Sequence, residues 1–172
     1  MKTIDRIHGG YVHRRRVRVL ADFFAACLPR DLSILDVGCG DGQLARALAR
    51  VRPDLKVTGV DVLERDDCAI PMKPFDGKVI PFEDGTFDAV LMADVLHHTT
   101  DPACLLEEAK RVSSQWIALK DHTRNGLFAE TTLRFMDRVG NARHGVTLPH
   151  NYWSVEEWLG AFRDLNLEIE EW

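Results

Sequence analysis

Residues 33–42 read S-I-L-D-V-G-C-G-D-G. Ile34, Leu35 and Val37 form a short apolar run that leads directly into Gly38, Gly40 and Gly42. Beyond the glycines, Leu44, Ala45, Leu48 and Val51 recur at helical spacing, so the segment predicts a strand, a tight turn and a helix. Glycines at alternate positions lower the steric barrier and let backbone come within contact distance of a ligand. A helix starting near Gly42 points free amides and the positive end of its dipole at the same place. The stretch therefore reads as a cradle for a nucleotide-like cofactor.

Spacing narrows the cofactor. Dinucleotide folds carry G-x-G-x-x-G with the pyrophosphate on the helix end. Here the third glycine arrives one residue early and is followed by Gln43, and Asp36 sits inside the strand two places before Gly38. Both features resemble motif I of the class I S-adenosylmethionine-dependent methyltransferases, of the type 11-like group. A carboxylate at Asp36 suits the ammonium of such a cofactor, which has no pyrophosphate.

The segment downstream extends the resemblance. Lys56 to Val60 predicts a second strand that delivers Asp61, 19 residues after Gly42. An acid there can accept ribose hydroxyls, as motif II of that family does, with Val62 beside the adenine. Asp76 to Val90, D-G-K-V-I-P-F-E-D-G-T-F-D-A-V, is similar to the family's run of acidic residue, short strand ending in Pro-Phe, turn and fourth strand. Glu83 to Thr86 supplies the turn. By position Asp76, followed by Gly77, matches the residue that accepts from the adenine amino group, and Asp88 is expected to shape the sheet edge near the cofactor. The fourth strand, Ala89 to Ala93, opens onto Asp94-Val95-Leu96-His97-His98 and carries no N-P-P-Y signature. In the family this strand end lines the methionine moiety and the substrate. The resemblance thus implies that Asp36, Gly38, Cys39, Gly40, Asp61, Val62, Asp76, Gly77 and Asp94 hold S-adenosyl-L-methionine.

Composition sets outer limits. A chain of 172 residues, 45% apolar and 28% charged, is one domain with a sizeable core. The charge balance of 22 basic and 27 acidic residues, net −5, gives no general pull toward nucleic acid or membrane. Arg14, Arg15, Arg16 and Arg18 make one short basic run, read as a solvated helix face or a contact with an anionic partner. Cys27, Cys39, Cys68 and Cys104 lack metal-site spacing and read as buried reduced thiols of a cytoplasmic protein. Arg18 and Asp22 interrupt the first apolar stretch, which argues against a signal peptide, and no run reaches membrane-spanning length.

The remaining elements follow from pattern. Residues 1–13 are expected to be loose, broken at Gly9-Gly10, with a helix from about Arg14 to Leu28 burying Val17, Leu20, Phe24, Cys27 and Leu28. Asp101-Pro102 caps a helix striped by Leu105, Ala109 and Val112. Trp116 to Leu119 is a fifth strand that delivers Lys120-Asp121-His122 at its carboxyl end. Residues 123–150 exceed a normal connection and read as a substrate lid with a helix from Gly126 to Val139. Ser154 to Glu157 is a capping box, Trp153 and Trp158 its staple, and Val155, Trp158, Leu159, Phe162 and Leu165 its buried side. Leu167 to Trp172 alternates as a sixth strand, and the family's seventh strand is missing.

The expected fold is α/β: a doubly wound, mostly parallel, Rossmann-like sheet in the order 3-2-1-4-5 with strand six following. The expected activity is methyl transfer from S-adenosyl-L-methionine to a small-molecule acceptor. His122 is the first choice for a base and His97 the second, each with an unperturbed pKa near about 6.5. Adjacent His97 and His98 are expected to point apart. Two rivals remain open at this point: a nicotinamide-dependent oxidoreductase, and a non-catalytic partner subunit whose exposed sheet edge would pair in a homodimer or heteromer.

Overall fold

The computed structural model describes residues 2–125, 131–133, 149 and 151–172. In chain order it contains α1 (Lys2–Cys27), β1 (Ser33–Val37), α2 (Gln43–Val51), β2 (Lys56–Asp61), β3 (Met72–Pro74), β4 (Phe87–Ala93), a 3-10 turn (Leu96–His98), α3 (Pro102–Val112), β5 (Ser113–Lys120) and α4 (Val155–Asp164). The five strands form one parallel sheet in the order β3-β2-β1-β4-β5. The order reverses between β1 and β4, and open sheets of this kind bind ligands outside the carboxyl ends of the strands at such a reversal. Val37 at the end of β1 pairs with Val60 of β2 and Met92 of β4. The glycine turn therefore emerges in the crevice between the ends of β2 and β4.

Alternation along the strands divides the core. Leu35, Val37, Val90 and Met92 face one side with Leu105, Leu106, Ala109, Val112 and Trp158 from α3 and α4. Ile34, Ala89 and Leu91 face the other, against Ala21 and Phe24 of α1, Leu28 just beyond it and Leu48 of α2. Burying each Leu, Ile, Val or Met side chain among these contributes about 1.5–3 kcal/mol. Asp88 ties β4 to β1 by accepting the Ser33 amide at 2.8 Å and its hydroxyl at 2.6 Å, at the amino ends of these parallel strands and so away from the glycine loop rather than near the cofactor as expected. Arg52, just past α2, gathers the carbonyls of Ala25, Leu28 and Pro29 at 2.6–2.9 Å, which satisfies the C-terminal end of α1.

The caps form as the sequence reads. Asp101 accepts from the Cys104 amide with Pro102 in the first turn, and Ser154 and Glu157 complete a capping box. Trp153 and Trp158 meet edge to face at 4.7 Å. No described helix is long and apolar enough to cross a membrane.

Several expectations are corrected. α1 runs through Gly9-Gly10 to Lys2, so residues 2–13 are helical rather than loose. Each glycine costs about 1 kcal/mol there, but extending an anchored helix avoids a new nucleation. The third strand is Met72–Pro74, and the stretch before Pro81-Phe82 is not a strand. There α3 takes the place of a ladder: Glu108 accepts the Ile80 amide at 2.8 Å, while Arg111 donates to the Ile80 and Phe82 carbonyls. Residues 167–172 form no strand. Asn166 turns the chain with φ 51°, and the Leu167 amide returns to the Phe162 carbonyl at 2.8 Å. Of the thiols only Cys39 is buried; Cys68 is half-buried, and Cys27 and Cys104 are exposed. Val51 and Leu159 are exposed too. The expected helix from Gly126 to Val139 lies outside the described residues apart from Thr131 to Leu133, which are helical. The ends of the expected lid meet, since Thr123 bridges Trp153 and the Arg124 amide donates to the Trp153 carbonyl at 2.8 Å.

Candidate active site

The glycine loop is fixed by backbone and left open on one face. Gly38 and Cys39 donate their amides to the Val60 carbonyl at 2.8 and 3.1 Å. Gly38, Gly40 and Gly42 have φ of 70°, 56° and 70°, the left-handed region that side chains disfavour. A Cβ on Gly38 would lie 2.6 Å from a Val95 methyl, whereas one on Gly40 would meet nothing within 4 Å. One glycine is thus required for packing and the other faces open space. Gly59, absent from the sequence reading, is a third case: a Cβ there would lie 2.5 Å from the Cys39 sulfur. Nothing in a lone strand glycine signals that neighbour.

Two acids lie at the loop. Asp61 ends β2, and its Oδ2 accepts the Gly40 amide at 2.8 Å while Oδ1 accepts the Leu63 amide at 2.9 Å. Asp36, 2% exposed, lies beneath the loop, and its Oδ2 has no hydrogen-bond partner among the described residues. Burial, aided by the Asp61 charge, pushes its pKa up to about 7. Beyond Asp61, Val62 is 53% exposed, and a Cβ on Gly77 would lie 3.1 Å from its methyl. The end of β2 and the 76–77 turn therefore form one apolar wall. Asp76 accepts the Lys78 and Val79 amides on one oxygen, at 2.8 Å each, which holds its carboxyl below the usual range.

A charged cluster occupies the ends of β4 and β5. Asp94, at φ 60°, pairs with Lys120 and with Arg16 of α1, and lies 3.4 Å from His122 Nε2. Burial opposes its charge, but the two cations hold its carboxyl below the ordinary value. His122 is half-buried; that burial, together with Lys120, lowers its pKa. His97 is inside, 2% exposed, with Nδ1 on the Asp121 carboxylate. Asp121 also accepts the amides of Leu96 at 2.9 Å and His122 at 2.6 Å, so it binds the 3-10 turn to the end of β5. Tyr152 stacks on His97 at 5.3 Å, and His122 meets the same ring edge-on at 5.0 Å. His97 and His98 do not point apart: in the 3-10 turn their rings come within 3.9 Å. Arg16, Asp121, Val95 and Tyr152 belong to the site but carry no local motif. Only the emergence of Asp121 at a strand end hinted at its place.

A glycine loop between two strand-end acids, on this sheet order, defines a Rossmann-like cofactor-binding domain. The profile of a methyltransferase-domain family matches residues 11–171, and the chain belongs to that family. It is 30% identical to 27-O-demethylrifamycin SV methyltransferase of Amycolatopsis mediterranei, over 88% of this chain and 60% of that protein. It is 31% identical to a ubiquinone biosynthesis O-methyltransferase of Thiobacillus denitrificans, over 54% of this chain and 45% of that one. The chain thus spans about half the length of these two relatives. A putative methyltransferase from Bacillus halodurans superposes with a TM-score of 0.67 at 25% identity, covering 90% of this chain and 70% of that chain.

The methyl donor of such domains, S-adenosyl-L-methionine, fits the residues present. Asp36 offers a buried oxygen lacking a donor, Gly40 faces open space, and Asp61, Val62 and Gly77 provide an acid beside an apolar wall.

Proposed function

We propose that this domain transfers a methyl group from S-adenosyl-L-methionine to a hydroxyl of a small-molecule acceptor. The observation that carries the reading is the open glycine loop between Asp61 and Asp94, with His122 beside the latter. The names of the two relatives, both O-methyltransferases, favour oxygen as the acceptor atom.

Asp61 would take the ribose hydroxyls, Val62 and Gly77 would flank the adenine with Asp76 at its amino group, and Gly38 to Gly40 with Asp36 and Asp94 would meet the amino-acid end. The cofactor supplies a methyl already activated on a sulfonium, so the chain's main task is alignment. His122 is the base, because its lowered pKa keeps the imidazole neutral near pH 7 and able to accept the hydroxyl proton. Lys120 beside it favours the deprotonated acceptor. His97 is too enclosed to reach an acceptor. Through Asp121 it supports the backbone on which His122 stands.

The test is incubation with S-adenosylmethionine carrying a tritiated methyl and a panel of polyhydroxylated aromatic compounds. Transfer of label, reduced at least about tenfold by His122→Asn, supports the reading. Binding of the cofactor with no transfer to any acceptor would favour the partner-subunit alternative.

A further inference from the structure

Two of the four thiols meet behind the glycine loop. Cys39 lies in that loop between Gly38 and Gly40, and Cys68 stands on the connection from β2 to β3. Their side chains interact as hydrogen-bonding partners. Neighbouring contacts place both sulfurs in one small space. A Cβ on Gly59 would lie 2.5 Å from the Cys39 sulfur and 3.0 Å from the Ile70 side chain. One on Gly42 would lie 3.0 Å from the Cys68 sulfur and 3.0 Å from the same Ile70 side chain. Backbone holds the connection there: the Ala69 amide donates to the Asp41 carbonyl at 2.9 Å, and the Gly59 amide to the Pro71 carbonyl at 2.8 Å. The pair is asymmetric. Cys39 is buried, and burial, followed by Asp36, Cys68 and Asp61, pushes its pKa up and keeps it a thiol. Cys68 is half-buried and is the one a reagent can reach.

We propose that Cys39 and Cys68 form a reversible disulfide that distorts the cradle and blocks the cofactor. The oxidant is a low-molecular-weight disulfide. The Cys68 thiolate attacks one of its sulfurs and releases a first small thiol; the Cys39 sulfur then attacks Cys68 and releases the second. One S–S bond breaks and one forms, and the two electrons and two protons lost by the protein pair end on the two small thiols. Because Cys39 starts as a thiol, the second step is the slow one. Bonding draws the sulfurs inside their contact distance, and the loop has little slack. The Gly38 and Cys39 amides are held on the Val60 carbonyl and the Gly40 amide on Asp61. The displacement therefore falls on the residues that face the cofactor, an effect that rests on the S-adenosyl-L-methionine reading above.

The test takes the intact chain, incubates it with glutathione disulfide, maps its peptides by mass spectrometry without reduction and titrates it with S-adenosylhomocysteine by calorimetry. A peptide linking Cys39 to Cys68 is expected, with affinity lowered at least about tenfold and recovered on adding dithiothreitol. Glutathione on the exposed Cys27 and Cys104 shows separately in the map. Cys68→Ser should bind as the reduced wild type does and keep that affinity after the oxidant. Absence of the linked peptide, or a linked chain that binds unchanged, would overturn the proposal while leaving the cofactor reading intact. An equal loss of affinity in Cys68→Ser would overturn it as well, since the effect would then come from the outer thiols. Failure of the reduced wild type to bind would remove the cofactor reading, and the block with it, whatever the map shows.

Discussion

The Asp61 carboxylate accepts the Gly40 amide at 2.8 Å, which joins the end of β2 to the middle of the glycine loop. With its other oxygen on the Leu63 amide, Asp61 sets the loop and the chain leaving β2 in one arrangement. Asp61→Ala removes a charged acceptor from two backbone donors and, on the proposed reading, from the ribose. S-adenosylhomocysteine should then bind at least about tenfold more weakly, and stability should fall by about 1–3 kcal/mol. Calorimetry and urea unfolding read the two effects separately.

The glycines should part company under substitution. Gly38→Ala drives a methyl to 2.6 Å from Val95, and Gly59→Ala drives one to 2.5 Å from the Cys39 sulfur. Each should lose about 1–3 kcal/mol by overpacking, with the left-handed backbone adding to the loss at Gly38. Gly40→Ala meets no atom within 4 Å, so it bears only backbone strain of about 1–2 kcal/mol. Its methyl would project into the cradle. Cofactor affinity should suffer most in Gly40→Ala and stability most in Gly38→Ala, as thermal melts with and without S-adenosylhomocysteine would show.

Asp36 makes a prediction with a definite sign. Its pKa rises from 3.8 to about 7 on folding, so between these values the folded chain keeps a proton that the unfolded chain has lost. Stability from this group therefore falls as pH rises through that window, by up to about 4 kcal/mol in all. Asp36→Asn cannot release a proton, and its stability relative to wild type should climb from pH 4 to pH 7. Urea unfolding across that range gives the curve; a constant difference would contradict the buried, donor-poor position.

His122 has the opposite dependence. Its folded pKa lies below 6.5, chiefly from burial and then from Lys120. Just below pH 6.5 the unfolded chain therefore binds more protons, and stability from this group rises with pH there. The imidazole proton resonances of His122 should titrate with a midpoint under 6.5, and Lys120→Gln should move it upward.

Asp121 is the hidden support. Its carboxylate meets His97 Nδ1 and the amides of Leu96 and His122 in a site with both side chains 1% exposed. Removing the carboxylate leaves buried donors without an acceptor, which costs about 1–3 kcal/mol each. Asp121→Ala should show that loss in urea unfolding, and Asp121→Asn a smaller one.

Some of this was legible in residues 33–42 and some was not, for physical reasons. A strand, three glycines and an amphipathic helix determine their own conformation, so Ser33–Val37, the turn and Gln43–Val51 could be read locally. The caps at Asp101 and Ser154 are equally local. Leu167 to Trp172 has the alternation of a strand, but alternation becomes a strand only beside a ladder partner. The run before Pro81 failed similarly, because Glu108 and Arg111, distant in sequence, take its backbone groups. Arg16 reads from sequence as part of a solvated helix face or a contact with an anionic partner, because nothing near it in sequence announces Asp94. Contacts such as Gly59 with Cys39 arise only once the strands are in register.

The most direct test is calorimetric titration of the wild-type chain with S-adenosylhomocysteine. The expected result is one saturable site per chain, displaced by S-adenosylmethionine and unaffected by reduced nicotinamide dinucleotide. No heat of binding, or binding that the dinucleotide abolishes, would contradict the account.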